Sequence, residues 1–180
     1  MRRARPDVAI WAETGQPEAL ISRLFDGLLD VVVMLEPPRV ELMTTMRLTQ
    51  IDLVLVSTES GQAPEDALGD GYAMVDWGQA FEVEHRRLFP HAPAALTTLS
   101  NSGMALDHLR ALGGAAYLPG RVIARDLAAG SLFVVKDAPQ ITRHVYGVYL
   151  SRNPKLELIL QALDVISPGH RIAAELAGGG

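Results

Sequence analysis

The stretch Leu99-Ser100-Asn101-Ser102-Gly103-Met104-Ala105-Leu106-Asp107-His108-Leu109-Arg110-Ala111-Leu112-Gly113-Gly114-Ala115-Ala116-Tyr117-Leu118-Pro119-Gly120 constrains the fold of this chain most. It reads as a polar loop, a helix, a Gly-Gly stop, a short strand and a Pro-Gly entry into another helix. Ala105, Leu106, Leu109 and Leu112 recur at helical spacing and form one apolar face. Asn101 or Ser102 is placed to cap the first turn, whose free N–H groups need an acceptor. Gly113 supplies a left-handed stop. Such a helix aims its N-terminus and the Ser-Asn-Ser loop at the sheet edge where open α/β folds bind ligands.

The flanking sequence repeats this strand–helix alternation. Val8 to Ala12 reads as a strand, and Pro17 sits at a helix start, where its missing N–H costs nothing. Leu20, Ile21, Leu24, Phe25 and Leu28 make the buried face of that helix, and Gly27 ends it. The run Val31 to Leu35 reads as a central parallel strand buried on both faces, stopped by Pro37-Pro38. Ile51 to Val56 is a second apolar run. Residues 59–71, rich in Gly, Pro, Asp and Glu, read as loop. Strands are expected at Tyr72–Val75, Ala94–Leu99, Leu132–Val135 and Val145–Leu150, and helices at Ala80–Leu88 and Val122–Ala129. Asn153-Pro154 caps a last helix with the stripe Leu156, Ile159, Leu160, Leu163 and Ile166; residues 167–180 read as a loose tail. The class is α/β with right-handed crossovers.

A chain of 180 residues, 48% of them hydrophobic, builds one domain or two closely packed lobes. Sixteen basic and 21 acidic residues leave a formal charge of −5, which argues against a nucleic-acid surface. The short basic cluster Arg2, Arg3 and Arg5 reads as a solvated terminus. With no cysteine there is no disulfide, thiol catalysis or Cys-ligated zinc. The first residues lack an apolar signal core, and no long uncharged apolar run follows. A soluble, cytoplasmic protein that makes no membrane contact is expected.

The order of short motifs is more specific than any one of them. Arg5-Pro6-Asp7-Val8, Glu13-Thr14-Gly15-Gln16-Pro17-Glu18 and Leu28-Leu29-Asp30-Val31-Val32-Val33 follow one another without a gap. Leu53-Val54-Leu55-Val56, Asn101-Ser102 before a helix, Leu127-Ala128-Ala129-Gly130-Ser131-Leu132 and Val145-Tyr146-Gly147-Val148-Tyr149-Leu150 come after them. Over roughly residues 5–166 this series resembles the effector-binding (substrate-binding-like) domain of LysR-type transcriptional regulators. Asp76-Trp77-Gly78, with no H-P-L-A after the hinge strand Leu53–Val56, is most similar to the flagellar-regulator subgroup. The resemblance implies a two-lobed fold of the type 2 periplasmic-binding-protein kind. Lobe one would combine residues 1–57 and 141–180, and lobe two would be residues 58–140. In that family a winged helix-turn-helix, a linker helix, and the first strand and helix of lobe one precede the region of resemblance. The resemblance therefore implies a lobe one lacking those two elements, and DNA contact only through an N-terminal domain not present in this chain.

Three loops precede helices and are expected to face one cleft: Gly15-Gln16-Pro17, Trp77-Gly78-Gln79 and Ser100-Asn101-Ser102. Each offers backbone N–H groups at a positive helix end, which suits an anion. The candidate effector-binding residues are Gln16, Trp77, Gly78, Ser100, Asn101 and Ser102. No Arg or Lys lies in these loops, and Glu13 and Asp76 flank two of them. A monocarboxylate or a neutral polar metabolite is therefore expected. Ser102, Asp107 and His108 contain triad residue types, but Asp107 and His108 are helix neighbours and no nucleophile elbow is present. The five histidines (85, 91, 108, 144 and 170) lack i, i+4 pairing, so no metal and no other cofactor is expected. His144 is expected to be partly exposed beside the return strand. The resemblance implies a ligand-sensing domain that self-associates as a dimer or tetramer. A solute-binding protein, an enzyme on the same scaffold, and an orphan domain that pairs with full-length regulators are the rival readings. The first is disfavoured by the absent export signal and the second by the absence of a convergent acid–base constellation.

Overall fold

Apolar runs become strands and helical stripes become helices in the computed structural model, which describes residues 7–166. Arg2, Arg3, Arg5, His170, the 167–180 tail and the side chain of Ile166 lie outside the described residues. In chain order the elements are α1 (Pro17–Phe25), β1 (Val32–Met34), β2 (Met43–Ser57), α2 (Pro64–Ala67), β3 (Ala73–Val75), α3 (Gln79–Leu88), β4 (Thr97–Leu99), α4 (Ser102–Leu112), β5 (Ala115–Pro119), α5 (Gly120–Ala129), β6 (Phe133–Val134), β7 (Ile141–Leu150) and α6 (Leu156–Ile166). The chain divides into two compact units. Unit 1 combines Met1–Thr49 with His144–Gly180, and unit 2 is Gln50–Arg143.

In unit 1, β1 pairs antiparallel with β7 in the register Val32↔Val148, Val33↔Gly147 and Met34↔Tyr146. Successive side chains of a strand point to opposite faces, and β7 feeds two clusters in this way. Val148 joins Leu24, Val32 and Met43, over which Leu20 and Ile21 of α1 pack. Tyr149, its neighbour, joins Leu48 and the α6 residues Ile159 and Leu163. Gly147 is required on the α6 face: an added Cβ would lie 2.9 Å from a Leu163 methyl and 3.4 Å from one of Leu48.

Two readings of unit 1 are corrected. Val31 to Leu35 is not a central parallel strand. β1 ends the sheet order β1-β7-β2-β5, its ladder is antiparallel, and Val33 is 46% exposed. A continuous apolar run fixes neither burial on both faces nor position in a sheet. Val8 to Ala12 forms no strand, because a strand is defined by a ladder partner and the segment has none among the described residues. Ile10 and Trp11 accordingly stand 57% and 81% exposed. A third difference is an extension: β2 begins at Met43, eight residues before the expected run. Its first part buries only Met43 and Leu48 among Thr44, Thr45, Met46, Arg47 and Thr49, too few apolar residues to stand out.

In unit 2, β2 pairs antiparallel with β5, from Leu53↔Pro119 to Ser57↔Ala115, and with β6 at Val56↔Val134. β3 and β4 run parallel, with Ala73↔Thr97 and Val75↔Leu99 as partners. The expected 59–71 loop holds the short helix α2, started by Pro64 and anchored by buried Ala67 and Leu68. The Gly-Gly stop has a steric reason. Gly114 has φ +104°, the Ala115 N–H donates to the Gly71 carbonyl at 3.1 Å, and a Cβ on Gly114 would lie 2.1 Å from that oxygen. The unit's core is aromatic. His85 stacks on Tyr72 at 5.4 Å and touches the rings of Phe81, Phe89 and Tyr117.

Candidate functional site

Parallel pairing of β3 and β4 delivers two of the three expected loops to one end of the same ladder. The Asp76 N–H donates to the Leu99 carbonyl at 2.9 Å, so the chain leaves both strands side by side. Asp76 then turns back on itself, its Oδ1 accepting the Gly78 N–H at 3.1 Å. Gly78 holds φ +83° and caps α3 with its backbone alone, a conformation that L side chains rarely adopt. Beside it, Asn101 caps α4: its Oδ1 accepts the Met104 N–H at 3.0 Å. The Ser100 hydroxyl donates to the Met104 sulfur at 3.3 Å and accepts from Asn101 Nδ2 at 3.4 Å. Thioether sulfur is a weak acceptor, so this hydroxyl is readily turned to a stronger one. The first-turn N–H groups of Ser102 and Gly103 have no acceptor among the described residues, as helix starts leave them.

Trp77 is 8% exposed, and its indole Nε1 donates to the Tyr117 carbonyl at 3.0 Å. It anchors the loop into the core of unit 2 through β5. Its own carbonyl accepts from Nε of buried Arg143 at 3.0 Å. Sequence reasoning missed Arg143, which brings a positive charge up behind a loop that itself carries none. The signal was the two-residue alternation of β7, which puts Arg143 on the buried face with Ile141. Gln16 belongs to unit 1. It is exposed, stands at the N-cap of α1 with no side-chain hydrogen bond there, and gives its carbonyl to Leu20 N–H at 3.0 Å. Trp77, Gly78, Ser100, Asn101 and Ser102 are thus brought together within unit 2, and Gln16 lies in the other unit.

The other polar groups of unit 2 are structural. Asp107 is exposed on α4 and pairs with Arg110 at 3.6 Å. Arg110 grips Asp126 of α5 with two bonds of 2.9 Å; this pairing, chiefly its hydrogen bonds, holds the Asp126 carboxyl below its usual range. Burial lowers the His85 imidazole's affinity for a proton and raises those of the Tyr72 and Tyr117 hydroxyls, so all three are neutral near pH 7. A shallow depression of about 560 Å³, lined by Gly61, Leu127, Leu132, Phe133, Val134 and Lys136, includes none of the candidate residues. No helix among the described residues is long and apolar enough to cross a membrane.

This ladder end carries two helix starts, the Ser100 and Ser102 hydroxyls and first-turn N–H groups without acceptors among the described residues, a polar surface on an α/β scaffold. The family described as the LysR substrate binding domain matches residues 1–171, and the chain belongs to that family: it is a regulatory domain of LysR type. HTH-type transcriptional regulator HdfR of Escherichia coli O17:K52:H18 is 24% identical over 155 residues, covering 86% of this chain and 53% of that protein. HdfR of Salmonella schwarzengrund is 24% identical over 152 residues, covering 84% and 52%. The chain therefore spans about half the length of the curated relatives it matches. The bromide-bound regulatory domain of HypT from Salmonella typhimurium superimposes with a TM-score of 0.71 at 17% identity, covering 91% of this chain and 86% of that one. A full-length OxyR variant from Pseudomonas aeruginosa gives a TM-score of 0.72 at 18% identity, covering 92% and 61%. The CcmR regulatory domain of Synechocystis PCC6803 in complex with 2-PG gives 0.68 at 16% identity, covering 94% and 88%.

Proposed function

We propose that this chain is the ligand-sensing and self-associating part of a LysR-type transcriptional regulator. Its effector is a monocarboxylate or a neutral polar metabolite. The observation that carries this reading is the shared exit of β3 and β4, which puts the Gly78 and Asn101 helix starts together in a chain of this family. An effector carboxylate would take the Ser102 and Gly103 N–H groups and the Ser100 and Ser102 hydroxyls. Trp77 would hold the floor in place. Asn101, committed to its cap, would orient the turn. Regulation follows if the effector prefers one arrangement of the two units over another, since a ligand shifts a conformational equilibrium only by its differential affinity. DNA would be contacted through a segment outside this chain, consistent with its net charge of −5.

A metabolite screen by thermal shift, followed by calorimetric titration of a hit, tests the reading. Each hydrogen bond to a neutral group contributes on the order of 1 kcal/mol, and more to a charged one. Replacing Ser100 and Ser102 together by Ala should therefore weaken binding about tenfold or more, with the melting temperature of the free protein nearly unchanged. Full affinity in that double variant would refute the assignment.

A further inference from the structure

We propose that His85 is a proton-responsive lever on the Trp77–Gly78 loop: uptake of a proton by its imidazole breaks the ring packing on Tyr117 and frees the loop that Tyr117 holds. That this tunes ligand recognition rests on the function proposed above; the movement of the loop is independent of it. The placement of His85 calls for a role. It is 7% exposed within unit 2 and stacks on Tyr72 with ring centroids 5.4 Å apart. Its Nε2 is buried and has no hydrogen-bond partner among the described residues. A buried polar atom left unpaired costs stability, and an apolar side chain at this point of α3 would pack among the same rings without that cost.

Two routes connect this imidazole to the loop. Through the rings, His85 meets Tyr117 edge to face at 5.8 Å, and the Tyr117 carbonyl accepts the Trp77 indole N–H at 3.0 Å. Through α3, the N–H of Phe81, one turn before His85, donates to the Gly78 carbonyl at 3.1 Å. The Phe81 ring packs on both His85 and Tyr117. An imidazolium carries two N–H donors, and here the one on Nε2 would be enclosed without an acceptor. The groups that face it do not offset the charge. Tyr72, from the approach to β3, and Tyr117, from β5, present neutral rings whose hydroxyls donate to the Met74 sulfur and the Pro139 carbonyl. On α3 itself, Glu84 is held by Arg87 with bonds of 2.9 and 2.7 Å, and Glu82, Arg86 and Arg87 are exposed. The charged ring is therefore relieved by leaving the cluster for water, and the Tyr117 contact is lost with it. A proton shifts the loop in this way because it binds the open arrangement better than the closed one.

The whole chain with Trp11→Phe reads the loop directly, because Trp77 is then its one indole. Trp11 is 81% exposed and Trp77 8% exposed. On titration from about pH 8 to about pH 4.5, Trp77 emission should move to longer wavelength and its iodide quenching constant should rise about threefold or more. The midpoint should lie below the usual histidine value of 6.5, with far-ultraviolet circular dichroism unchanged. His85→Phe and His85→Gln, each in the Trp11→Phe background, should abolish the change. In the protein with His85 intact, the His85 imidazole and Trp77 indole N–H resonances followed by NMR should shift with one midpoint. A loop signal that titrates unchanged in both variants, or that moves only where circular dichroism collapses, overturns the lever, as do separate midpoints for the two resonances. Ligand sensing is judged apart from it, by the calorimetric titration run near pH 8, where His85 is neutral.

Discussion

Unit 2 is built around a ring cluster and a bidentate ion pair, and unit 1 around two mainly aliphatic clusters. In unit 2 the strand ladders, the Arg110–Asp126 pair and the ring cluster around His85 satisfy one another inside residues 50–143. In unit 1 two apolar clusters flank a sheet whose strand β1 is three residues long and has a ladder only with β7 among the described residues. A glycine, a titratable group or a helix cap should matter in proportion to how rigidly its neighbours are held.

The largest test compares two glycines. In unit 2 a Cβ at Gly114 would meet the Gly71 carbonyl oxygen at 2.1 Å, with φ at +104°. Both the obstacle and the strain belong to backbone, which cannot step aside without breaking the Ala115–Gly71 bond. Gly114→Ala should cost about 4 kcal/mol or more, a magnitude that point changes reach only through such a mechanism. In unit 1 a Cβ at Gly147 would meet methyl groups of Leu163 and Leu48, at 2.9 Å and 3.4 Å. Leucine rotamers can give, so Gly147→Ala should cost about 1–3 kcal/mol. Urea unfolding followed by tryptophan emission, with circular dichroism for the whole chain, checks the order. Equal costs would mean that the two units are equally rigid.

Acid should bear on unit 2, where both shifted groups lie. Burial holds the folded His85 pKa below the usual 6.5, so the unfolded chain takes up this proton first. The stability tied to neutral His85 is complete above about pH 6.5 and is lost as pH falls through the folded pKa, by up to about 1.4 kcal/mol per pH unit. Asp126 acts in a second, lower window. Its folded pKa lies below the usual carboxylate value of 3.8, so its contribution is complete above that value and is lost as pH falls further. Unfolding midpoints measured from pH 8 to pH 3 should fall in two stages. His85→Phe should remove the first stage and leave the second; an unchanged profile in that variant would show that another group carries the first.

How much of this was legible in the sequence follows the same division. The ends of α4 were readable, because its Asn101 cap and its Gly113 stop act within a few residues of chain; of its apolar face Ala105, Leu106 and Leu109 are buried, whereas Leu112, read with them, is 77% exposed. The parallel β3–β4 exit was readable from the loop–helix junctions at Gly78 and Asn101. What could not be read depends on partners distant in sequence. Val31 to Leu35 gave a strand, but neither its exposed face nor its position in the sheet. Trp77 gave an aromatic in a polar loop, but not the bond to Tyr117, forty residues away. Arg143 was hidden in the return strand. Gln16 matched the other two loops in local pattern, yet pattern alone does not say that it belongs to the other unit.

The smallest test contrasts the two helix starts themselves. Asn101 and Gln16 occupy the same N-cap position, on α4 and α1. The Asn101 side chain accepts the Met104 N–H, and that of Gln16 makes no cap bond. α1 instead begins with Pro17, whose ring presets the first helical φ and which has no N–H to satisfy. Asn101→Ala should therefore cost about 1 kcal/mol, and Gln16→Ala less than about 0.5 kcal/mol, both read from urea midpoints. The near-silence of Gln16→Ala in stability makes it a clean probe of whether ligand recognition extends beyond the loops of unit 2. A severalfold loss of effector affinity in that variant, with an unchanged midpoint, would come from a lost ligand contact in unit 1. Unchanged affinity would confine recognition to the loops of unit 2, where Asn101→Ala weakens cap and ligand binding together.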